Sequence, residues 1–216
     1  HCTTCSYKLQ SYDLIPLLSY LFLKGRCRGC GERISIKYSL IEMLNSLLYV
    51  LIYCNYGNSI DSLKGFLLSS LLIVIAGIDL KTHYIYKSTT IFGIGAFIFI
   101  EIIDLLISWQ IHWENLLAGA LGVIVIGAIV FFTGGMGEGD IEIALIIGLF
   151  LGIKGLMLAL FIAFILGGII ASIFLILKFK ERKAEIAFGP YLAMGAIISL
   201  LYSTEIINWY ISLMKI

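Results

Sequence analysis

Seven apolar runs leave this chain little choice of fold. They cover residues 38–53, 63–78, 89–107, 116–132, 141–153, 156–177 and 188–207. Most approach the ~20 residues that carry a helix across a bilayer. The short run at 141–153 either tilts or stands inside the bundle behind the loop that precedes it. The chain is 60% hydrophobic and 13% charged, where soluble domains sit near ~45–50% apolar and ~25% charged. The expectation is an all-α polytopic membrane protein. A bundle of about seven transmembrane helices fills residues 38–216, behind a small polar segment at residues 1–37. A formal net charge of +1 says nothing about nucleic acid, and no nucleic-acid partner is expected. The first residue is His1 rather than Met, so the chain reads as trimmed at its start.

Lysine and arginine set the expected orientation. With residues 1–37 inside and the runs alternating, the inside segments are 1–37, 79–88, 133–140 and 178–187. They hold 12 of the 15 Lys and Arg residues. Lys64, Lys154 and Lys215 fall at outer edges or in the tail. The 178–187 charge run reads as an inside anchor.

On that assignment two carboxylates share the inner edge. Asp79 ends one apolar run, and Asp140 closes Met136-Gly137-Glu138-Gly139-Asp140 just before another. A lone Asp there would read as a helix N-cap. Two at one membrane face can share a proton and activate water. The ionised member takes a proton from water while the other protonates a carbonyl oxygen or a leaving amine. Gly137 and Gly139 let the backbone approach closely.

Residues 1–37 carry two close cysteine pairs, Cys2/Cys5 and Cys27/Cys30, with 21 residues between them. That fits a four-thiolate zinc site with a slightly long spacer. Two disulfides or a redox pair are the alternatives, and disulfides are rare in a cytosolic segment. His1 is a further conceivable ligand. Cys54 directly follows an apolar run and reads as a packed, inert thiol.

Five blocks together resemble a known family. Asp13-Leu14-Ile15-Pro16-Leu17-Leu18-Ser19-Tyr20 with Gly25-Arg26-Cys27-Arg28-Gly29-Cys30 is similar to the cytosolic insert of type IV prepilin peptidases. Lys37-Tyr38-Ser39-Leu40-Ile41-Glu42 is similar to that family's next helix start. Gly77-Ile78-Asp79-Leu80 and Gly137-Glu138-Gly139-Asp140 resemble its two aspartate motifs. Phe188-Gly189-Pro190-Tyr191-Leu192-Ala193 resembles its last-helix motif. With the first cysteine pair, the blocks run in family order from residue 2 to residue 193. The family's earlier amino-terminal helix is not in this chain.

The resemblance implies a membrane aspartic endopeptidase that removes the leader of type IV prepilins or pseudopilins after a glycine. Many members then methylate the new amino terminus with S-adenosylmethionine. Asp79 and Asp140 match the catalytic pair, while Gly137, Gly139, Gly189, Pro190 and Glu42 match supporting motif positions. For Glu42 the resemblance suggests contact with a cation, either the substrate's basic leader or the methyl donor; a structural hydrogen bond is the alternative. The implied partners are a prepilin substrate and the lipid bilayer of a bacterial cytoplasmic membrane, with the site facing the cytosol.

Some positions depart from the family pattern. Tyr86-Lys87 stands where the family usually has Pro-Asp or Pro-Asn, Glu142 where it usually has Lys, and Ala187 where Pro is frequent. Lys87 and Glu142 reverse local charges and could compensate one another. Glu138 and Glu142 flank the site, where they either attract a basic leader or are simply solvated. His83 reads as a loop residue. Glu101 and Asp104 read as outer-edge groups, snorkelling or solvated. Two other functions compete. A protein acting mainly as a methyltransferase is little supported, because no glycine-rich nucleotide fingerprint is present. A non-catalytic carrier would place its carboxylates at midplane rather than at an edge.

Overall fold

The computed structural model describes residues 4–8, 10, 18–109, 112–177 and 187–214. Among them every regular element is helical: α1 Leu18–Phe22, α2 Ile36–Tyr56, α3 Ile60–Thr82, α4 Lys87–Ser108, α5 Trp113–Thr133, α6 Glu138–Ile176 and α7 Gly189–Met214. The six from α2 onward are long and apolar enough to cross a membrane. The chain is a multi-pass membrane protein. A straight α6 of 39 residues would be roughly 58 Å long, about twice a bilayer core. It is broken at Gly152, whose φ of 68° and ψ of −177° leave helical space. Glycine alone takes that conformation without strain. The apolar runs at 141–153 and 156–177 are thus the two arms of α6.

The chain forms two compact units, residues 1–51 and 52–216. In the first, the chain around Cys27 folds back on itself. Cys27 N–H donates to the Glu32 carbonyl at 2.8 Å, Ile34 N–H to the Gly25 carbonyl at 2.8 Å, and Gly31 N–H to the Cys27 carbonyl at 2.9 Å. Arg26 and Arg33 form an isolated antiparallel bridge across this turn.

The second unit is a helical bundle. Local chemistry sets the ends of α3. The Ser59 hydroxyl caps its start by accepting from Ser62 N–H at 3.2 Å. His83 closes it in the left-handed region, donating its N–H to the Asp79 carbonyl at 2.9 Å. The core is aliphatic: Leu68, Leu72 and Ile75 of α3, Ile143, Ile146 and Ile147 of α6, and Leu192 and Ala196 of α7 are essentially inaccessible. Between helices small residues set the spacing, as expected where lipid is as apolar as the protein. A Cβ on Gly122 of α5 would lie 2.5 Å from the Ala144 carbonyl oxygen of α6. Gly148 of α6 lies as tightly against Ala118 of α5, and Gly195 of α7 against Ala159 of α6. Gly148→Ala is therefore expected to destabilise by about 1–3 kcal/mol, the usual cost of overpacking. Gly168→Ala, where nothing lies within 4 Å, should be neutral or slightly stabilising. Thermal unfolding of both variants in detergent checks the contrast.

Two expectations fail in this unit. Cys54 is exposed rather than packed, because its neighbours Asn55 and Tyr56 are the residues turned to α7, donating to the carbonyls of Leu201 and Leu200. Glu101 and Asp104 are not solvated edge groups. Asp104 is buried and Glu101 nearly so, because Lys64 of α3, itself buried, reaches them across the antiparallel α3–α4 pair.

Candidate active site

Asp79 lies in the last turn of α3 and Asp140 in the first turn of α6. Antiparallel packing brings these ends together, and both residues line one cleft of about 520 Å³ at the same end of the bundle. Both are buried, at 6% and 5% exposure.

Each carboxylate is oriented by a backbone N–H through its Oδ2 atom. Gly137 N–H donates to Asp140 at 3.1 Å, three residues away in the same turn. Gly189 N–H donates to Asp79 at 3.0 Å from 110 positions along the chain. Gly189 is the first residue of α7, so its N–H has no acceptor within its own helix and is free to take a carboxylate. A Cβ on Gly189 would lie 2.6 Å from that same Asp79 oxygen. Pro190 follows in the first turn, where a missing N–H costs nothing. Gly139 passes beneath Ile85, with an added Cβ 2.7 Å from Ile85 Cδ1. Gly137 is looser, at 3.8 Å from Asp140 Oδ2.

Charged and polar groups rim the cleft: His83, Lys87, Glu138 and Glu142, with Tyr84 and Phe188. No ion pair within 4.0 Å joins Lys87 to Glu142 among the described residues. Glu142 instead accepts a short hydrogen bond from the hydroxyl of buried Thr90 on α4. Two buried carboxylates facing one water-accessible cleft can hold and pass a proton.

Residues 1–56 match the family model described as the bacterial peptidase A24 N-terminal domain. Residues 66–172 match the type IV leader peptidase family. Curated relatives agree over nearly the whole chain. A prepilin leader peptidase/N-methyltransferase of Bacillus subtilis (strain 168) is 32% identical over 213 residues, covering 98% of this chain and 85% of the relative. Its namesake in Aeromonas salmonicida (strain A449) is 32% identical over 228 residues, covering 98% and 74%. That of Neisseria gonorrhoeae is 30% identical over 217 residues, again 98% and 74%. The chain belongs to the type IV leader peptidase family. It is an enzyme, a membrane peptidase. No solved structure matches it.

The family's motif positions fall unevenly on the structure. Asp79, Asp140, Gly137, Gly139 and the start of α7 meet at the cleft. Glu42 stands exposed on α2 in the amino-terminal unit, its carbonyl accepting from the Ser46 hydroxyl at 2.8 Å. Cys2, His1, the motif at residues 13–17 and the basic run at 178–186 lie outside the described residues. Thr90 and His112 escaped the sequence reading. Thr90 carries no motif, and a histidine beside a helix start looks like any loop residue.

The amino-terminal unit holds a metal-competent group. The sulfurs of Cys5, Cys27 and Cys30 lie within 4.8 Å of one another, with Cys5 and Cys27 at 3.8 Å. A disulfide would need ~2.05 Å. Tetrahedral thiolates bound at ~2.3 Å stand about 3.8 Å apart. The Cys27–Cys30 turn supports the arrangement with Gly31 in the left-handed region at φ 71°, donating its N–H back to Cys27.

Proposed function

We propose that Asp79 and Asp140 are the catalytic pair of an aspartic endopeptidase. The enzyme would remove the leader of a type IV prepilin or pseudopilin after a glycine, at the cytosolic face of a bacterial cytoplasmic membrane. The observation that carries the reading is the shared cleft: two buried carboxylates from distant helices, each oriented by its own backbone N–H. One carboxylate, ionised, accepts a proton from the attacking water. The other donates its proton to the scissile carbonyl oxygen, and the proton taken from water then passes to the leaving amine. Partial exclusion of water strengthens both interactions. The names of the relatives support the prepilin substrate, and the 12-to-3 distribution of Lys and Arg supports the cytosolic face.

The same names support methylation of the new amino terminus from S-adenosylmethionine. Mass spectrometry of a prepilin peptide incubated with the protein tests both activities. Leader loss is expected without the methyl donor, and leader loss plus one methyl group with it. An intact peptide in both arms would refute the reading.

Zinc is the metal proposed for Cys2, Cys5, Cys27 and Cys30, as a structural ion that holds a segment too small for its own core. Cobalt-loaded protein is expected to show a thiolate charge-transfer band that Cys27→Ser removes. Two disulfides and no such band would contradict it.

A further inference from the structure

At the end of the bundle opposite the aspartate cleft, four chargeable side chains converge. Lys64, near the start of α3, places Nζ 2.6 Å from Glu101 Oε1 and 3.7 Å from Asp104 Oδ2, both on α4. His112, at the entry to α5, places Nδ1 3.4 Å from Glu101 Oε2 and 3.4 Å from Asp104 Oδ2. Lys64 and Asp79 are fifteen residues apart on α3, about 22 Å along the helix axis, so this group is separate from the cleft. Charged side chains inside a membrane bundle are costly and are retained for a function.

The balance of the group favours a cation. Lys64 brings a single positive charge to two carboxylates and reaches both, so without a proton on His112 the group keeps a net negative charge. His112 Nδ1 is shut off from solvent and has no hydrogen-bond partner among the described residues. Its 3.4 Å separations are long for a hydrogen bond. They match the spacing of neighbouring donors around a tetrahedral ion, about 3.3–3.6 Å for bonds of ~2.0–2.2 Å. The three donor atoms lie within 4.8 Å of one another. One imidazole nitrogen with carboxylate oxygens is a donor set that zinc accepts. Lys64 already holds the second oxygen of Glu101, as an outer-shell partner holds a metal-binding carboxylate. A cleft of about 240 Å³, lined by Lys64, His112, Asn115 and Ser199 among others, opens beside the group and has room for a water as fourth ligand.

We propose that Glu101 Oε2, Asp104 Oδ2 and His112 Nδ1 form a second metal site, for a divalent ion of the zinc class, at the membrane face opposite the aspartates. The competing arrangement is a protonated His112 closing a metal-free cluster of two cations and two anions.

Metal binding by the chain in detergent separates the two. Protein is stripped with chelator, loaded with zinc or cobalt, desalted and analysed for metal content. A Cys5→Ser/Cys27→Ser/Cys30→Ser variant removes the thiolate group. It is expected to retain about one ion per chain, with cobalt bands in the visible and no thiolate charge transfer. His112→Gln in the same background should weaken binding at least about tenfold, as loss of a ligand or its partner does. In the cysteine-intact protein, His112→Gln should lower the content by one ion. Equal metal content with and without His112, or no ion in the triple-serine variant, would overturn the proposal. Leader cleavage is not the readout, so this failure would leave the aspartate mechanism untouched.

Discussion

Asp79→Asn and Asp140→Asn are each expected to lower leader cleavage by at least about 10³-fold, within the range that a positioned acid or base supplies. Both side chains are buried, and Asn preserves their size and the carbonyl oxygen that accepts from Gly189 or Gly137. What it loses is the exchangeable proton. The thermal unfolding temperature of each variant in detergent should therefore stay near that of the parent chain. A fall in stability that tracked the fall in rate would mean that the aspartates hold the bundle together and do not perform the chemistry.

Gly189→Ala should be the most damaging of the glycine substitutions around the cleft, costing cleavage on the order of 10²-fold, as small misplacements of catalytic groups do. The added methyl would lie 2.6 Å from Asp79 Oδ2 and 3.1 Å from Ile143 Cδ1. The carboxylate must move, because its place is taken by a group on the same residue that orients it. Gly139→Ala meets Ile85, whose side-chain end can yield at 2.7 Å but whose Cβ at 3.0 Å yields less easily. A smaller loss is expected there. Gly137→Ala meets only an ordinary contact at 3.8 Å and should cost least. Cleavage rates of the three variants give the order directly. Gly137→Ala as the most damaging would mean that the loop's flexibility matters more than the seating of Asp79.

The helices were legible because a bilayer imposes a length and a polarity that local sequence must meet. The run at 63–78 falls within α3, and the structure adds the cap at Ser59 that starts the helix three residues earlier. The break between the runs at 141–153 and 156–177 was legible as a polar interruption at Lys154. That it is a bend at Gly152 inside one long element was not, because hydropathy carries no φ angle. At the site, Asp79 and Asp140 stood out as charges at the ends of apolar runs. The Gly189 N–H that orients Asp79 did not, since the donor is backbone and lies 110 positions away. Lys64 with Glu101 and Asp104 was misread for a related reason. Each charge lies near a helix end, where solvent is the simple expectation, and only the α3–α4 register turns them toward one another. Thr90 and Glu142 meet through the packing of α4 on α6, which no local pattern records.

Everything proposed for the cleft rests on Asp79 and Asp140 acting as one unit. The most direct measurement is a double-mutant cycle on single-turnover cleavage of a prepilin peptide by the parent chain, Asp79→Asn, Asp140→Asn and the double variant. Members of one catalytic unit are strongly non-additive, so the double variant is expected to be scarcely slower than either single one. A single variant that cleaves at the parent rate, or a double variant whose loss is the product of the two single losses, would contradict it.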